Sequence, residues 1–198
     1  MCIRDSHRDT KFSQPQSFAA LASLHQLQDL HISFFCSHSL GLTPIDLLSL
    51  RDLSRLRRLA LSEEEDMGMP DFDDSYMKEL TQNLPLLEEL DIAIFFDRVT
   101  IQGLNSVARN CPALQYLHLK CGFDLGQWTM NEQPYFPNLT RLEFVRFDRS
   151  LGQERPGHVV RAIDHHAPKL VRLDMEYRPR GWNLILACLL YTSDAADE

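Results

Sequence analysis

The sequence predicts an α/β fold: a solenoid, or horseshoe, of about six repeats, with a parallel sheet on the concave face and helices on the convex face. The first observation is a strand pattern, Leu-x-x-Leu-x-apolar, that recurs six times at intervals of 25 to 31 residues. The second is a helix signal before the strand pattern. A single helix–strand unit cannot bury its own leucines, but stacked copies can. The copies begin at Leu27, Leu56, Leu87, Leu114, Leu139 and Leu170, and a proline stands two residues before four of them: Pro85, Pro112, Pro137 and Pro168.

The clearest unit runs from Val99 to Cys121. Thr100 is a good helix cap, because its hydroxyl can accept a hydrogen bond from a free N–H in the first turn. An apolar stripe follows at helical spacing: Leu104, Val107 and Ala108. Pro112 ends the helix, since the residue before a proline avoids the helical region. Leu117 and Leu119 then alternate with polar residues, which is typical of a half-buried strand.

The earlier units follow the same plan. A helix from about Phe18 to Leu24 precedes the first strand, which ends near Ser33. Thr43 and Pro44 begin the second helix, with threonine as the cap and proline at the first position. A third helix spans about Asp74 to Gln82, with three residues directed inward: Tyr76, Met77 and Leu80.

The later units are less regular. Residues 122–136 carry no helical period, so the fifth unit is predicted to have an irregular outer side. The helix of the sixth unit carries an apolar stripe: Val159, Val160 and Ile163. Residues 177–187 resemble the start of a seventh unit.

Both ends of the chain resemble translated sequencing-library adaptors. Residues 1–6 read MCIRDS and residues 188–198 read CLLYTSDAADE, so the repeat domain is expected to occupy residues 7–187 as a fragment of a longer protein. Without these ends the formal charge of −8 becomes −5, because the C-terminal segment holds three acidic residues. This acidity disfavours general nucleic-acid binding, which needs a basic face.

The cysteines favour an intracellular protein in the cytoplasm or nucleus. Cys2 and Cys188 lie in the adaptor-like ends, which leaves an odd set without a paired framework: Cys36, Cys111 and Cys121. No apolar segment reaches the roughly 20 residues of a membrane-spanning helix, so no membrane partner is expected.

Four groups of residues could carry chemistry, and each has a structural alternative. The acidic residues within 62–74 could bind calcium or form a solvated loop, and their spacing favours the loop. His165 and His166 could bind a metal or end a helix; adjacent helical residues point apart, which favours the helix end. Cys111 and Cys121 could be redox-active or packed in the core. Trp128, Tyr135 and Phe136 could contact a partner or pack over the edge of a repeat.

No phosphate loop, nucleophile elbow or H-E-x-x-H motif is present in the sequence. We therefore expect no enzymatic activity, no cofactor and no metal. The residues between the leucines would line the concave face of a solenoid and hold a protein partner there. The candidate partner-binding residues are Asp29, His31, Arg58, Glu89, Asp91, Tyr116, His118, Lys120, Arg141, Glu143, Arg172, Asp174 and Glu176, interspersed with small or apolar ones at Ser33, Ala60, Ser62, Ala93 and Val145. Arginine and tyrosine are the expected anchors.

The stretch VTIQGLNSVARNCPALQYLHLKC resembles the cysteine-containing class of leucine-rich repeat. The residues that match the class are Thr100, Gly103, Leu104, Ala108, Cys111, Pro112, Leu114, Leu117, Leu119 and Cys121. This class is common in F-box proteins, whose repeats capture substrates for a cullin-based ubiquitin ligase. The resemblance implies a substrate-recognition domain, with the ligase adaptor subunit as a partner if an F-box lies upstream. The alternative is a leucine-rich-repeat scaffold or GTPase regulator without a ubiquitin role.

Overall fold

Six strands form one parallel sheet, and their order in the sheet is their order in the chain. The computed structural model describes residues 17–34, 43–63, 68–123, 125–128, 133–147 and 156–175. The strands are β1 (Asp29–Phe34), β2 (Arg58–Glu63), β3 (Glu89–Phe95), β4 (Tyr116–Phe123), β5 (Arg141–Phe147) and β6 (Arg172–Met175). Each begins two residues after the first leucine of a predicted copy, so the α/β class and all six predicted strands are confirmed.

In the described part of the chain, α-helices precede five of the six strands. They are α1 (Ser17–Leu21), α2 (Pro44–Leu48), α3 (Asp74–Thr81), α4 (Ile101–Asn110) and α5 (Pro156–His166), with short 3-10 turns at Ser49–Asp52 and Leu125–Gln127. The prediction for the first helix was too long. The helix ends at Leu21, where hydrogen bonds between residues three apart close a turn. Leu24 N–H donates to Leu21 O at 2.9 Å, and the Ser23 hydroxyl donates to Ala20 O at 2.8 Å.

The predicted helix starts are confirmed at three places. The N–H and hydroxyl of Thr43 both donate to Asp46 Oδ2, at 2.8 and 2.7 Å, and so close the start of α2. The hydroxyl of Thr100 accepts from the N–H of Gln102 at the start of α4. Asp73 caps α3 by accepting from the N–H groups of Ser75 and Tyr76.

The sheet positions the leucines in continuous buried rows. Strand register places the second leucine of each copy beside the next: Leu30, Leu59, Leu90, Leu117, Leu142 and Leu173. The four central members of this row are at most 1% exposed, whereas Leu173 in the last unit is only partly buried. Among the described residues, the interior units are therefore covered by two neighbouring units and the first and last by one, as expected for stacked copies.

A ladder of main-chain carbonyls joins each unit to the next. The carbonyl of Gln28 accepts hydrogen bonds from the N–H groups of both Arg57 and Arg58. The same two-donor arrangement recurs at the equivalent residue of the next four units: Arg57, Glu88, Gln115 and Thr140. We call this set the carbonyl ladder. It fixes the start of every strand after β1 against its neighbour through backbone atoms, and at one step the Thr140 hydroxyl adds a hydrogen bond to the Gln115 carbonyl.

The irregular outer side predicted for the fifth unit is filled by aromatic side chains. Trp128 and Phe136 are each 2% exposed, and the indole N–H of Trp128 donates to Asn105 Oδ1 at 2.9 Å. The ring of His166, the last residue of α5, stacks on Tyr135 with centroids 4.4 Å apart. The packing alternative is thus confirmed for this aromatic group, and the helix-end alternative for the histidine pair.

Part of the acidic segment is structural rather than solvated. Besides the cap formed by Asp73, the carboxylate of Asp74 accepts from the N–H of Thr100, the hydroxyl of Thr100 and the N–H of Gly103. Two members of the predicted solvated loop therefore bind helix N-termini, which corrects that prediction for them. Residues 64–67, which hold most of the acidic run, lie outside the described part of the chain.

Several predictions concern residues that the structure does not describe. These are the adaptor-like ends at 1–6 and 188–198, the start of a seventh unit at 177–187, Cys36 and Glu176. Within the described ranges, no helix combines the length and apolar character needed to cross a bilayer.

Candidate functional site

The candidate site is the open face of the sheet, the side opposite the buried leucine rows. Along β3 and β4 every second residue is buried, and the residues between them are half-buried or exposed. The predicted partner-binding residues from Asp29 to Asp174 all occupy these alternate positions, while Glu176 lies beyond the described residues. The described members of this set therefore share one face of the sheet.

Strand register arranges the open face in two rows. The row at the strand starts consists of Asp29, Arg58, Glu89, Tyr116, Arg141 and Arg172. The next row consists of His31, Ala60, Asp91, His118, Glu143 and Asp174. Side chains from all six strands therefore meet on a single surface.

Tyr116, Arg141 and Glu143 form a cluster near the centre of these rows. The guanidinium carbon of Arg141 lies 4.9 Å from the centroid of the Tyr116 ring, within range of a cation–π interaction. The phenol of Tyr116 donates to Glu143 Oε2 at 3.3 Å, and Arg141 forms an ion pair with Glu143. Each side chain thus restricts the other two.

The electrostatics around Tyr116 are dominated by carboxylates. Burial raises the pKa of the Tyr116 phenol far above its ordinary value, and the charges of Asp91 and Glu143 raise it further, while Arg141 lowers it. A raised pKa means that the site disfavours an additional negative charge. The phenol therefore stays protonated and keeps its hydrogen bond to Glu143.

Further pairs of polar side chains flank this cluster. His118 Nδ1 and Asp91 Oδ1 are 2.7 Å apart. Asp174 accepts from Arg172 and lies 3.7 Å from Nε of Arg141, which links the last two strands. Such pairs contribute little stability where solvent screens them, but they hold long side chains in defined positions.

The first two strands carry a smaller polar group. Arg58 donates to Asp29, and this hydrogen bond lowers the pKa of the Asp29 carboxyl below its ordinary value. The hydroxyls of Ser33 and Ser62 are 2.9 Å apart, and Ser33 also lies 3.2 Å from His31 Nε2.

Beyond the second row the pairing register between β3 and β4 changes, and this change determines which residue lies next to Lys120. The pairing of β3 with β4 shifts after Ile92, so Lys120 lies opposite Phe95. The half-buried Phe95 is on the open face by alternation along β3, and the sequence analysis missed it. Phe95 lies after the last residue of the six-residue repeat pattern, so the pattern does not assign it to a face. The adjacent Phe95 and Phe96 at the end of the strand were the only sequence feature that pointed to this position.

The cysteines of the described part belong to the core. Cys111 and Cys121 are both free thiols and at most 1% exposed. Burial raises the pKa of Cys111 to about 12 and that of Cys121 well above its ordinary value. A thiol that stays protonated is a poor nucleophile and a poor metal ligand, so the core-packing alternative is confirmed. Among the described residues, no group of three His, Cys, Asp or Glu side chains is arranged to hold a metal ion.

Comparisons with known proteins give no family. No protein-family model matches the chain, and no curated protein matches it. A solved structure of leiomodin-1 actin-binding site 2 is similar with 11% identity and a TM-score of 0.40, covering 96% of this chain and 93% of that one. The tropomodulin C-terminal domain from Caenorhabditis elegans is similar with 12% identity and a TM-score of 0.41, covering 91% and 96%. Similarity at these values assigns no function.

Proposed function

We propose that this chain is a protein-recognition domain of the leucine-rich-repeat type, and that a protein partner binds on the open face of its sheet. The cluster of Tyr116, Arg141 and Glu143 carries the proposal. Tyrosine and arginine are the side chains most often responsible for binding energy at interfaces. Here they are held in place before a partner arrives, which reduces the entropy lost on binding.

The repeat type is supported by two features of the chain. The residue pattern from Val99 to Cys121 resembles the cysteine-containing class of repeat, and six units follow one another in the sheet in chain order. In such a solenoid the helices would lie on the convex side and the open face would be concave. A binding role without catalysis, in the cytoplasm or nucleus, follows from the same class.

The test is capture of proteins from a cell extract by three forms of the full chain. The wild type is compared with Tyr116→Ala combined with Arg141→Ala, and with Asp164→Asn on the exposed side of α5. We expect the open-face variant to lose specific partners that the α5 variant retains. Equal capture by all three forms would contradict a binding role for this face, provided that circular dichroism shows the variants folded.

The finer proposal is that the domain recognises substrates for an F-box type ubiquitin ligase. It rests on the resemblance of the repeat class. The test is to determine the transcript upstream of His7 and to ask whether the protein it encodes binds the ligase adaptor subunit. An upstream F-box segment of about fifty residues that binds the adaptor would support the ligase role. A complete protein that binds no adaptor would leave the scaffold or GTPase-regulator alternative.

A further inference from the structure

The two rows of the open face hold more carboxylates than arginines, and the carboxylates without an arginine lie on one strand. Each arginine in the rows is already paired with a carboxylate of the same face: Arg58 with Asp29, Arg141 with Glu143 and Arg172 with Asp174. The carboxylates left over are those of Glu89 and Asp91, both on β3. Because the arginines are satisfied by the protein itself, the unmet charge of the two rows is negative.

Glu89 is the less restrained of the two. It is exposed, and its carboxylate forms no hydrogen bond or ion pair with any described residue. Its neighbours in the row are committed elsewhere: Arg58 bonds to Asp29 on the far side, and Tyr116 bonds to Glu143 on the other. Nothing described on the face competes for the Glu89 carboxylate.

The carboxylate of Asp91 is bonded to His118 alone among the described residues. A neutral imidazole can donate this bond through Nδ1–H, and the carboxylate then keeps its charge. The other neighbours of Asp91 are small: Ala60 lies opposite it on β2, and Ala93 is the next open-face residue on β3. Two methyl groups leave room above the sheet for a long side chain to reach the carboxylate.

Glu89 and Asp91 are two residues apart on one strand, so their α-carbons are separated by about 7 Å. The ring of Tyr116 lies beside Glu89 on the next strand. Two carboxylates and an aromatic ring within reach of one another match a guanidinium or ammonium group, which bonds to the carboxylates and can stack on the ring.

We infer that the protein partner of the open face presents an arginine or lysine side chain to Glu89 and Asp91. This inference rests on the proposed function and specifies the chemistry of the partner. Charge complementarity is its basis: a basic segment meets unmatched carboxylates, whereas an acidic segment would meet arginines that are already paired and carboxylates that repel it.

The experiment uses twelve-residue random peptides displayed on phage and selected on the full 198-residue chain. Selected peptides are assigned to the open face when Tyr116→Ala abolishes their binding. Affinities are then measured by calorimetry for wild type, Glu89→Gln, and the control Asp164→Asn. We expect open-face peptides to share an arginine or lysine, and Glu89→Gln to weaken them about tenfold, in line with loss of a charge pair in an interface. Asp164→Asn should change affinity less than twofold.

A double-mutant cycle makes the assignment specific. Replacing the basic residue of the peptide with glutamine should weaken binding to the wild-type protein about as much as Glu89→Gln does. The same change in the peptide should weaken binding to the Glu89→Gln protein only slightly, because the charge pair is already absent there. If open-face peptides lack a basic residue, or bind Glu89→Gln with unchanged affinity, the inference is wrong while the proposed function stands. If no selected peptide depends on Tyr116, the proposed function fails as well.

Discussion

The carboxylate of Asp74, at the start of α3, holds the start of the next helix through Thr100. It accepts hydrogen bonds from the N–H of Thr100 at 2.7 Å and from its hydroxyl at 2.6 Å, and Asp74 Oδ1 also accepts from the N–H of Gly103 at 2.9 Å. One carboxylate thus satisfies two otherwise free N–H groups of α4 and places a negative charge at its positive end.

We expect Asp74→Ala to lower the free energy of unfolding by about 1.5–3 kcal/mol, the usual contribution of hydrogen bonds to a charged group. Urea unfolding followed by circular dichroism measures the change. Asp71→Ala is the matched control, since its side chain is 80% exposed and its nearest cation is 3.9 Å away. Equal losses in both variants would show that Asp74 does not connect the two helices.

Gly103 is predicted to resist a substitution that usually stabilises helices. Alanine is favoured over glycine inside a helix by about 1 kcal/mol. At Gly103, however, a Cβ would lie 2.5 Å from Asp74 Oδ1 and 2.9 Å from Val99 Cγ1, so Asp74 would have to move. We expect Gly103→Ala to destabilise the protein. Gly157→Ala in α5, where the nearest atom is 3.7 Å away on a flexible arginine, should be neutral or stabilising. A thermal melt that ranks the two variants in the opposite order would contradict this account.

Leu117 lies in the centre of the buried row, with neighbours on both sides. We expect Leu117→Ala to lower the free energy of unfolding by about 2–5 kcal/mol, the cost of lost burial and of a cavity. Leu173→Ala should cost less, since Leu173 is only partly buried. Val171→Ala, at a residue that is 88% exposed, should cost less than about 0.5 kcal/mol. Urea midpoints that do not follow this order would exclude the stacked core.

We expect the buried thiols of Cys111 and Cys121 to be unreactive while the protein is folded. Because burial raises the pKa of Cys111 to about 12 and that of Cys121 even more clearly, neither should react with a disulfide reagent at pH 8 while the protein is folded. In a variant with Cys2, Cys36 and Cys188 replaced by serine, labelling should begin only at urea concentrations that unfold the chain. Rapid labelling without urea would place these thiols at the surface.

The raised pKa values of Cys111 and Cys121 also determine how the stability of the protein changes with pH. In the unfolded chain these thiols lose their protons near pH 8.5, well before they do so in the folded state. The thiol contribution to stability is therefore complete below about pH 8.5 and falls as the pH rises toward 12. Unfolding midpoints at pH 7.5 and pH 10 should show this loss, and substitution of Cys111 and Cys121 by alanine should remove it.

Sequence alone predicted the strands because their signal is periodic. The six-residue pattern specifies which side chains are buried, so Leu117 and its equivalents, and the alternate residues of the open face, could be identified without coordinates. The register rows followed from the same repetition, up to the point where β3 shifts after Ile92. That shift is a local irregularity between Ile92 and Phe95, which no repeat pattern encodes.

Contacts between distant side chains could not be predicted in the same way. Asp74 lies in an acidic segment whose composition suggests solvation, and the helix start that it binds is 26 residues away. The Trp128 group had two equal interpretations, and only its contacts with Asn105 and His166 decide between them. The contact of Tyr116 with Arg141 also depends on cross-strand geometry, which the sequence does not encode.

The carbonyl ladder has a consequence for how such a gene can change. The residues whose carbonyls form it are glutamine, arginine, glutamate, glutamine and threonine, so the joint between units places no demand on the side chain. A duplicated copy, or the two copies left side by side after a deletion, can therefore form the same backbone hydrogen bonds with the new neighbour. Differences in unit length, from 25 to 31 residues, are accommodated in the segments that connect one strand to the next. Recombination can lengthen or shorten the array one copy at a time, while point mutations alter the open face independently.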